Sequence, residues 1–343
     1  MMADRETGMA AELREAPAAV RRQQSLAQPI AELAAWCRRN PPQVVVTCAR
    51  GSSAHAATFG KHLIERYLGI PVAAAAPNIA TVYGERMRLK GQLVLTISQS
   101  GRSDDLTEFT AMAKEAGALT LAIVNDVDSP LAKACHVALP MAAGPEISVA
   151  ATKTFIAALT ALLRLAAAWT GDDKLDAAID RLPDRLAAAL DLDWSSATGV
   201  VSQASSLIAI GRGPTLAIAR EAALKLKETS NLHAEAFSSA EFQHGPVALV
   251  SPLYPILMFV PGDAAAAGMR ALAADLRGKG AALFSADHGE EAAGGLPVLA
   301  PDHPDADAVC LIQSFYALAI RVAERRGVDV NRPRHLQKVT RTR

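Results

Sequence analysis

Between Ile218 and Pro246 the chain reads IAREAALKLKETSNLHAEAFSSAEFQHGP, and here the side chains able to move protons lie close together. Glu221, Lys225 and Glu228 stand three and four apart, so a helix carries all three on one face. Glu235, Glu241 and His244 follow in a polar run that closes on His244-Gly245-Pro246. A carboxylate, an ammonium and an imidazole within reach of one another can pass protons at neutral pH. The same spacing also describes a solvated helix face with an ordinary Glu–Lys pair. The rest of the chain has to decide.

A second constellation is built from hydroxyls. The β-branched and apolar run QLVLTI (92–97) leads into Ser98, Gln99, Ser100, Gly101 and Ser103, and a helix is expected from about Leu106 to Ala116. Ligands of open α/β sheets bind outside the carboxyl ends of the strands. Backbone N–H groups, a helix N-terminus and several hydroxyls there suit a phosphate. Ser52 and Ser53, at the end of an earlier strand, could converge on the same point. Ser103 also fits a helix N-cap, with Asp104 and Asp105 suiting the first turn. That role would leave Ser98 and Ser100 unexplained.

The elements that must position these residues alternate. Residues 1–40 read as short helices separated at Pro17 and Pro29. Strands are expected at Gln43–Cys48, Val72–Ala75, Gln92–Ile97, Leu119–Val124 and Val137–Pro140, with helices between them and a longer helix at Ala151–Trp169. That order describes a parallel sheet flanked by helices. Thr170–Ser196 reads as an amphipathic connector broken at Pro183. The pattern then restarts. Leu207–Ile210 runs into GRGPTLA as VVVTC runs into ARGSSAH, with Arg212-Gly213 matching Arg50-Gly51 and Thr215 matching Ser53. Tyr254–Val260 followed by Pro261-Gly262 echoes QLVLTI followed by SQSG, and Ala281–Ser285 echoes Leu119–Val124. Matches at nearly one offset indicate an internal duplication. The last helix is expected at Asp307–Arg325, before a basic tail.

Composition narrows the function classes. The chain has 343 residues, half of them hydrophobic, enough for two ordinary domains. Lys plus Arg equals Asp plus Glu at 35 each, so no global charge favours nucleic acid. Cys37, Cys48, Cys135 and Cys310 are scattered, which argues against a disulfide framework or zinc site and fits a reducing cytoplasm. The charged N-terminus does not resemble a signal peptide, and Phe155–Trp169 is too short and too interrupted by Arg164 to span a bilayer, so a soluble cytoplasmic protein is expected. No GxxxxGK[ST], GxGxxG, HExxH or GxSxG pattern supports a nucleotide, dinucleotide, metal or hydrolase site.

SQSGRSDD, AGPEISVAATKTF, EAALKLKETSNLHAEAF, EFQHGP and NRPRHLQKVT together resemble the sugar isomerase (SIS) domain pair of glucosamine-6-phosphate synthases, over nearly the whole chain. They are closer still to stand-alone relatives described as glucosamine-6-phosphate deaminases. The resemblance implies an α/β fold of two tandem SIS domains, each a three-layer, flavodoxin-like parallel sheet flanked by helices. The expected organisation is a helical segment at 1–40, SIS domains at 41–185 and 195–330, and a tail at 331–343. It further implies a homodimer with active sites near the subunit interface, a hexose 6-phosphate ligand and no cofactor or metal. Ser98, Gln99, Ser100 and Ser103 match the family's phosphate grip, with Ser53. Glu228 matches the base that moves a proton between C1 and C2, and Lys225 a lysine near the sugar. His244 matches a histidine associated with ring opening, which the synthases take from the partner subunit. Lys338 matches a lysine of the C-terminal segment that folds over the sugar, and Val149 a position whose backbone touches it.

The departures point to the deaminase-type relatives. The synthases' SQSGET is SQSGRS here, their ASTK is AATK at Ala150–Lys153, and their NLAKSVTVE tail is HLQKVTRTR. The synthases' glutaminase part and its N-terminal cysteine are not found in the chain. Ala151 lacks the hydroxyl that the synthases place at that point. The expected activity is conversion of glucosamine 6-phosphate to fructose 6-phosphate and ammonia, with Glu228 tuned toward neutral pKa by partial burial. Galactosamine 6-phosphate and fructosamine 6-phosphate are alternative substrates, and a non-catalytic sugar-phosphate sensor is the alternative of another class.

Overall fold

The computed structural model describes residues 8–289, 294–331 and 333–338. The chain forms two compact units. One comprises Ala18–Glu146 and Lys153–Ile179 with the residues from Gln337. The other comprises Ile147–Thr152 and Asp180–Leu336 with the residues up to Pro17.

Short helices α1 (Gly8–Arg14), α2 (Ala16–Arg22) and α3 (Ala27–Arg39) precede the first sheet. That sheet holds β1 (Val45–Ala49), β2 (Val72–Ala74), β3 (Leu93–Ser98), β4 (Leu119–Val124) and β5 (Val137–Pro140), in the order β2-β1-β3-β4-β5. All its pairings are parallel. The central strands β1, β3 and β4 are buried on both faces, which is why they read as unbroken apolar runs. Around them run α4 (Gly51–Leu68), the single turn α5 (Asn78–Thr81), α6 (Asp104–Glu115), α7 (Pro130–Ala134) and α8 (Lys153–Thr170). Val46, Val94, Leu106 and Phe109 join sheet to α6 in one core cluster.

Next come α9 (Asp173–Ala189) and α10 (Ser195–Gln203). Pro183 lies inside α9 and does not break it. A proline in a helix interior removes one backbone hydrogen bond. Here the buried apolar residues on both sides, Ile179 and Leu182 before and at the turn and Leu186 after it, hold the helix in one piece.

The second sheet contains β6 (Ser206–Gly211), β7 (His233–Ser238), β8 (Pro255–Phe259), β9 (Ala282–Ala286) and β10 (Gly295–Leu296), in the order β10-β9-β8-β6-β7. Read from the other edge, this is the order of the first sheet, strand for strand. Even the register repeats. Ala49 stands opposite Ile97, and Gly211 opposite Phe259; Val45 stands opposite Val72, and Leu207 opposite Ala234. The helices here are α11 (Pro214–Ser230), α12 (Ser239–Gln243), α13 (Ala266–Gly278) and α14 (Pro304–Arg325). The duplication read from the sequence is thus present as geometry. β7 corrects one expectation: the segment after α11 is not an unstructured polar run but an edge strand. Its side chains alternate, with Ala234 buried and Glu235 exposed, as a strand with one wet face requires.

By length and composition α8 and α14 could each cross a bilayer, but 89% of the apolar 18-residue stretch in each is buried within the protein. Their apolar residues form the interior of their own units.

Candidate functional site

β3 ends at Ser98, and the chain turns at once. The buried Ser98 Oγ accepts the Gly101 N–H at 3.1 Å, and Ser100 Oγ accepts the Arg102 N–H at 3.3 Å. Gly101 has φ +62°, and a Cβ there would lie 2.1 Å from Ser129 Oγ, so both conformation and space demand glycine. Ser103 occupies the N-cap position of α6 with extended backbone, yet its side chain caps no N–H. The capping role open to it in the sequence is therefore not taken up. Gln99 and Ser100 are half-buried beside it. Ser52 and Ser53, also half-buried, open α4 after Gly51, whose φ is +53°. Because Ala49 and Ile97 are paired, the chain leaves β1 and β3 at the same level. These serines therefore share the carboxyl end of one sheet, at the place where strand order reverses and α/β folds bind ligands.

Two residues outside the expected phosphate grip join this edge. Arg50, between β1 and Ser52, donates from Nε and Nη2 to one oxygen of Asp105 at 3.1 and 2.9 Å. Asp105 lies in the first turn of α6, is 3% exposed, and accepts its neighbour Leu106's N–H through its other oxygen. The ARGSS motif held the signal, since its arginine recurs as Arg212 in the duplicate.

In the other unit, α11 carries Glu221, Lys225 and Glu228 on one face, as the spacing requires. This is no solvated face. Glu221 and Lys225 are 0% and 1% exposed, while the Glu228 side chain keeps 21% of its surface. Lys225 Nζ lies 3.4 Å from Glu221 Oε1 and also donates to Glu228 Oε2. Tyr316 of α14 donates its hydroxyl to Glu221 Oε1 at 3.2 Å. One buried ammonium is thus shared by two carboxylates, of which only Glu228 reaches a surface. Glu228 thus combines partial exposure with a direct ammonium contact.

The other acids of the opening stretch go elsewhere. Glu235 points outward from β7. Glu241 is engaged by the N-cap of α12: Ser238 Oγ accepts the Glu241 N–H at 3.2 Å and donates to Glu241 Oε2 at 2.8 Å. That hydroxyl, with the Arg220 and Arg212 charges behind it, holds the Glu241 carboxyl below its ordinary range. His244 follows as the C-cap of α12 and is exposed.

Val149 is half-buried in a segment clasped from α1. The buried Glu12 accepts the N–H groups of both Ile147 and Ser148, the latter at 3.2 and 3.3 Å. In the first unit, Lys338 Nζ lies 3.3 Å from the Oε2 of Glu146, a carboxylate also bonded by Thr154 N at 3.2 Å and by its hydroxyl at 2.5 Å. Glu12 and Glu146 were not singled out in the sequence, because nothing local distinguishes a buried acid from a surface one. Among the described residues no group of three or more His, Cys, Asp or Glu is placed to hold a metal ion.

With that geometry in hand, comparison with known proteins gives a consistent picture. The SIS domain model matches residues 41–168 and 201–285. A glutamine–fructose-6-phosphate aminotransferase [isomerizing] from Mycobacterium tuberculosis (strain H37Rv) is 33% identical over 323 residues, covering 86% of this chain and 50% of its own length. The chain therefore spans about half the length of the curated relatives it matches. A crystal structure from Silicibacter pomeroyi DSS-3, described as a "putative phosphosugar isomerase", is 43% identical with a TM-score of 0.90, covering 95% of this chain and 100% of that one. The C-terminal domain of a glucosamine–fructose-6-phosphate aminotransferase from Francisella tularensis is 26% identical with a TM-score of 0.85, covering 97% and 100%.

Proposed function

The chain belongs to the SIS domain family, and from that premise we propose that it is a phosphosugar isomerase of the deaminating kind, turning glucosamine 6-phosphate into fructose 6-phosphate and ammonia. The observation that carries this reading is the buried Glu221–Lys225–Glu228 cluster, in which Glu228 alone reaches a surface. A structural ion pair does not require a carboxylate that keeps a surface, whereas a base needs one face held and one face open.

In this reading Ser98, Gln99, Ser100 and Ser103, with Ser52 and Ser53, hold the phosphate through hydroxyls, backbone N–H groups and the N-terminus of α6. His244 assists opening of the pyranose to the aldehyde. Glu228 removes the C2 proton to give an enolamine and returns a proton at C1, leaving an imine at C2. Water adds to that imine, and ammonia leaves as the ketone forms. Lys338 stabilises negative charge developing on oxygen, Lys225 holds Glu228 in place from behind, and the Val149 backbone contacts the sugar. The enzyme acts as a homodimer. The exposed His244, close in sequence to the exposed Leu249 and Leu253, supports a role for that segment at a subunit interface.

The test is an ammonia-release assay on glucosamine, galactosamine and fructosamine 6-phosphates. Release from the first, with fructose 6-phosphate as co-product, is expected. Release only from another member moves the substrate, and thermal stabilisation by one of them without release from any would replace the enzyme with a sensor.

A further inference from the structure

The phosphate grip legible in the sequence contains no charge. Ser52, Ser53, Ser98, Gln99, Ser100 and Ser103 are all neutral, whereas a phosphate monoester carries close to two negative charges at neutral pH. Arg102 sits in the loop but is exposed and paired with Asp126 at 2.8 Å. The cation that fits is Arg50.

Three observations meet at it. First, register: Ala49 pairs with Ile97, so Arg50 and Ser98 are the residues leaving two adjacent strands at the point where strand order reverses. Second, orientation. Asp105 is buried and fixed, and it takes Nε and Nη2 of Arg50 on a single oxygen. The guanidinium stays about half exposed, and its remaining N–H groups bond nothing among the described residues. An arginine fork held along one edge keeps its other edge for a second oxyanion. Third, the duplication supplies an internal control. Arg212 occupies the matching place after β6, but the first turn of α13 has no acid to match Asp105, and Val260-Pro261-Gly262 stand where the serine loop would be. The acid clamp and the serines are present together in one half and missing together from the other.

We infer that Arg50, oriented by Asp105, is a phosphate-binding residue that supplies the charge the serine loop lacks. The inference rests on the phosphate reading of that loop. Asp105 is the positioning residue: it stops the side chain from swinging into solvent and fixes which edge faces the ligand.

The test uses the full-length chain, with inorganic phosphate as probe and glucosamine 6-phosphate as substrate. Arg50→Met removes the charge but leaves Asp105 buried and unpaired, so Arg50→Met/Asp105→Asn is made alongside it to keep the interior neutral. In both, inorganic phosphate should bind about 10- to 100-fold more weakly, the loss of one charged hydrogen-bonding partner. KM should rise by more than kcat falls, and the dependence of binding on salt should flatten. Arg50→Lys should restore only part of the affinity, because an ammonium lacks the fork. Phosphate affinity in the double variant equal to that of the parent would overturn the inference, and a loss of melting temperature without loss of affinity would reduce the pair to a structural bridge. Weakened phosphate binding in a protein that releases no ammonia from any hexosamine phosphate would leave Arg50 in place and remove the deaminase reading instead.

Discussion

Glu228 and Lys225 are one helical turn apart, yet their loss should look different in the test tube. Glu228→Gln keeps size and hydrogen bonding and leaves Lys225 with Glu221, but takes away the base. Turnover should fall by at least ~100-fold and binding of glucosamine 6-phosphate should stay within ~3-fold of the parent. Normal turnover in that variant would place the base elsewhere. Lys225→Met acts through stability. It takes the ammonium away from Glu221, a carboxylate that is 0% exposed. Removing one partner of a buried pair costs about 3–5 kcal/mol, so urea unfolding should show a loss of that order. A loss below ~1 kcal/mol would mean that the pair is wetter than its burial implies.

At the scale of elements, the β3–α6 loop is the feature most sensitive to a single methyl group. Gly101→Ala asks a residue with Cβ to hold φ +62°, and it drives that Cβ into Ser129. The left-handed backbone alone costs about 1–2 kcal/mol, and Ser129, the buried N-cap of α7, has little room to yield. The variant should lose at least ~2 kcal/mol of stability in urea unfolding together with measurable phosphate binding. Tolerance of alanine would show that the loop has a second conformation. This loop was legible in the sequence because hydroxyls and glycine announce it locally. β7 was not, although the offset that carries Arg50 onto Arg212 carries Val72 onto Ala234, already paired in the same way. An edge strand with one exposed face offers only weak alternation, and HAEAFS reads as a polar run until its partner β6 is known. Pro183 misled for the opposite reason: local propensity argued for a break, and packing on both sides overrode it. The clamp between Arg50 and Asp105 was invisible because its partners are far apart in the chain and meet only through the pairing of β1 with β3.

Across the whole molecule, duplication has left two sheets of one strand order and has not left two copies of the chemistry. The hydroxyl loop and the clamped arginine belong to one half, and the shared ammonium on α11 to the other. What the halves have in common is an apolar interior, and the four thiols lie within it. Cys37, Cys48, Cys135 and Cys310 are all buried, and desolvation pushes their pKa values from 9.0 up to about 11, 12, 11 and 12 respectively. A thiol whose folded pKa is raised stays protonated while its unfolded counterpart ionises, so between the two values the native state binds more protons. The unfolding free energy then falls as pH rises. Stability should therefore be unaffected by these groups up to about pH 8. From about pH 9 toward 11 it should decline, with each thiol contributing up to ~1.4 kcal/mol per pH unit. Urea midpoints measured from pH 7 to 10.5 check this, with a variant carrying Cys→Ala at all four positions as the reference. That variant starts less stable, for lost packing, but its midpoint should fall less steeply above pH 9. Equal slopes in the two proteins would assign the alkaline loss to lysine and tyrosine titration and leave the thiols without a part in it.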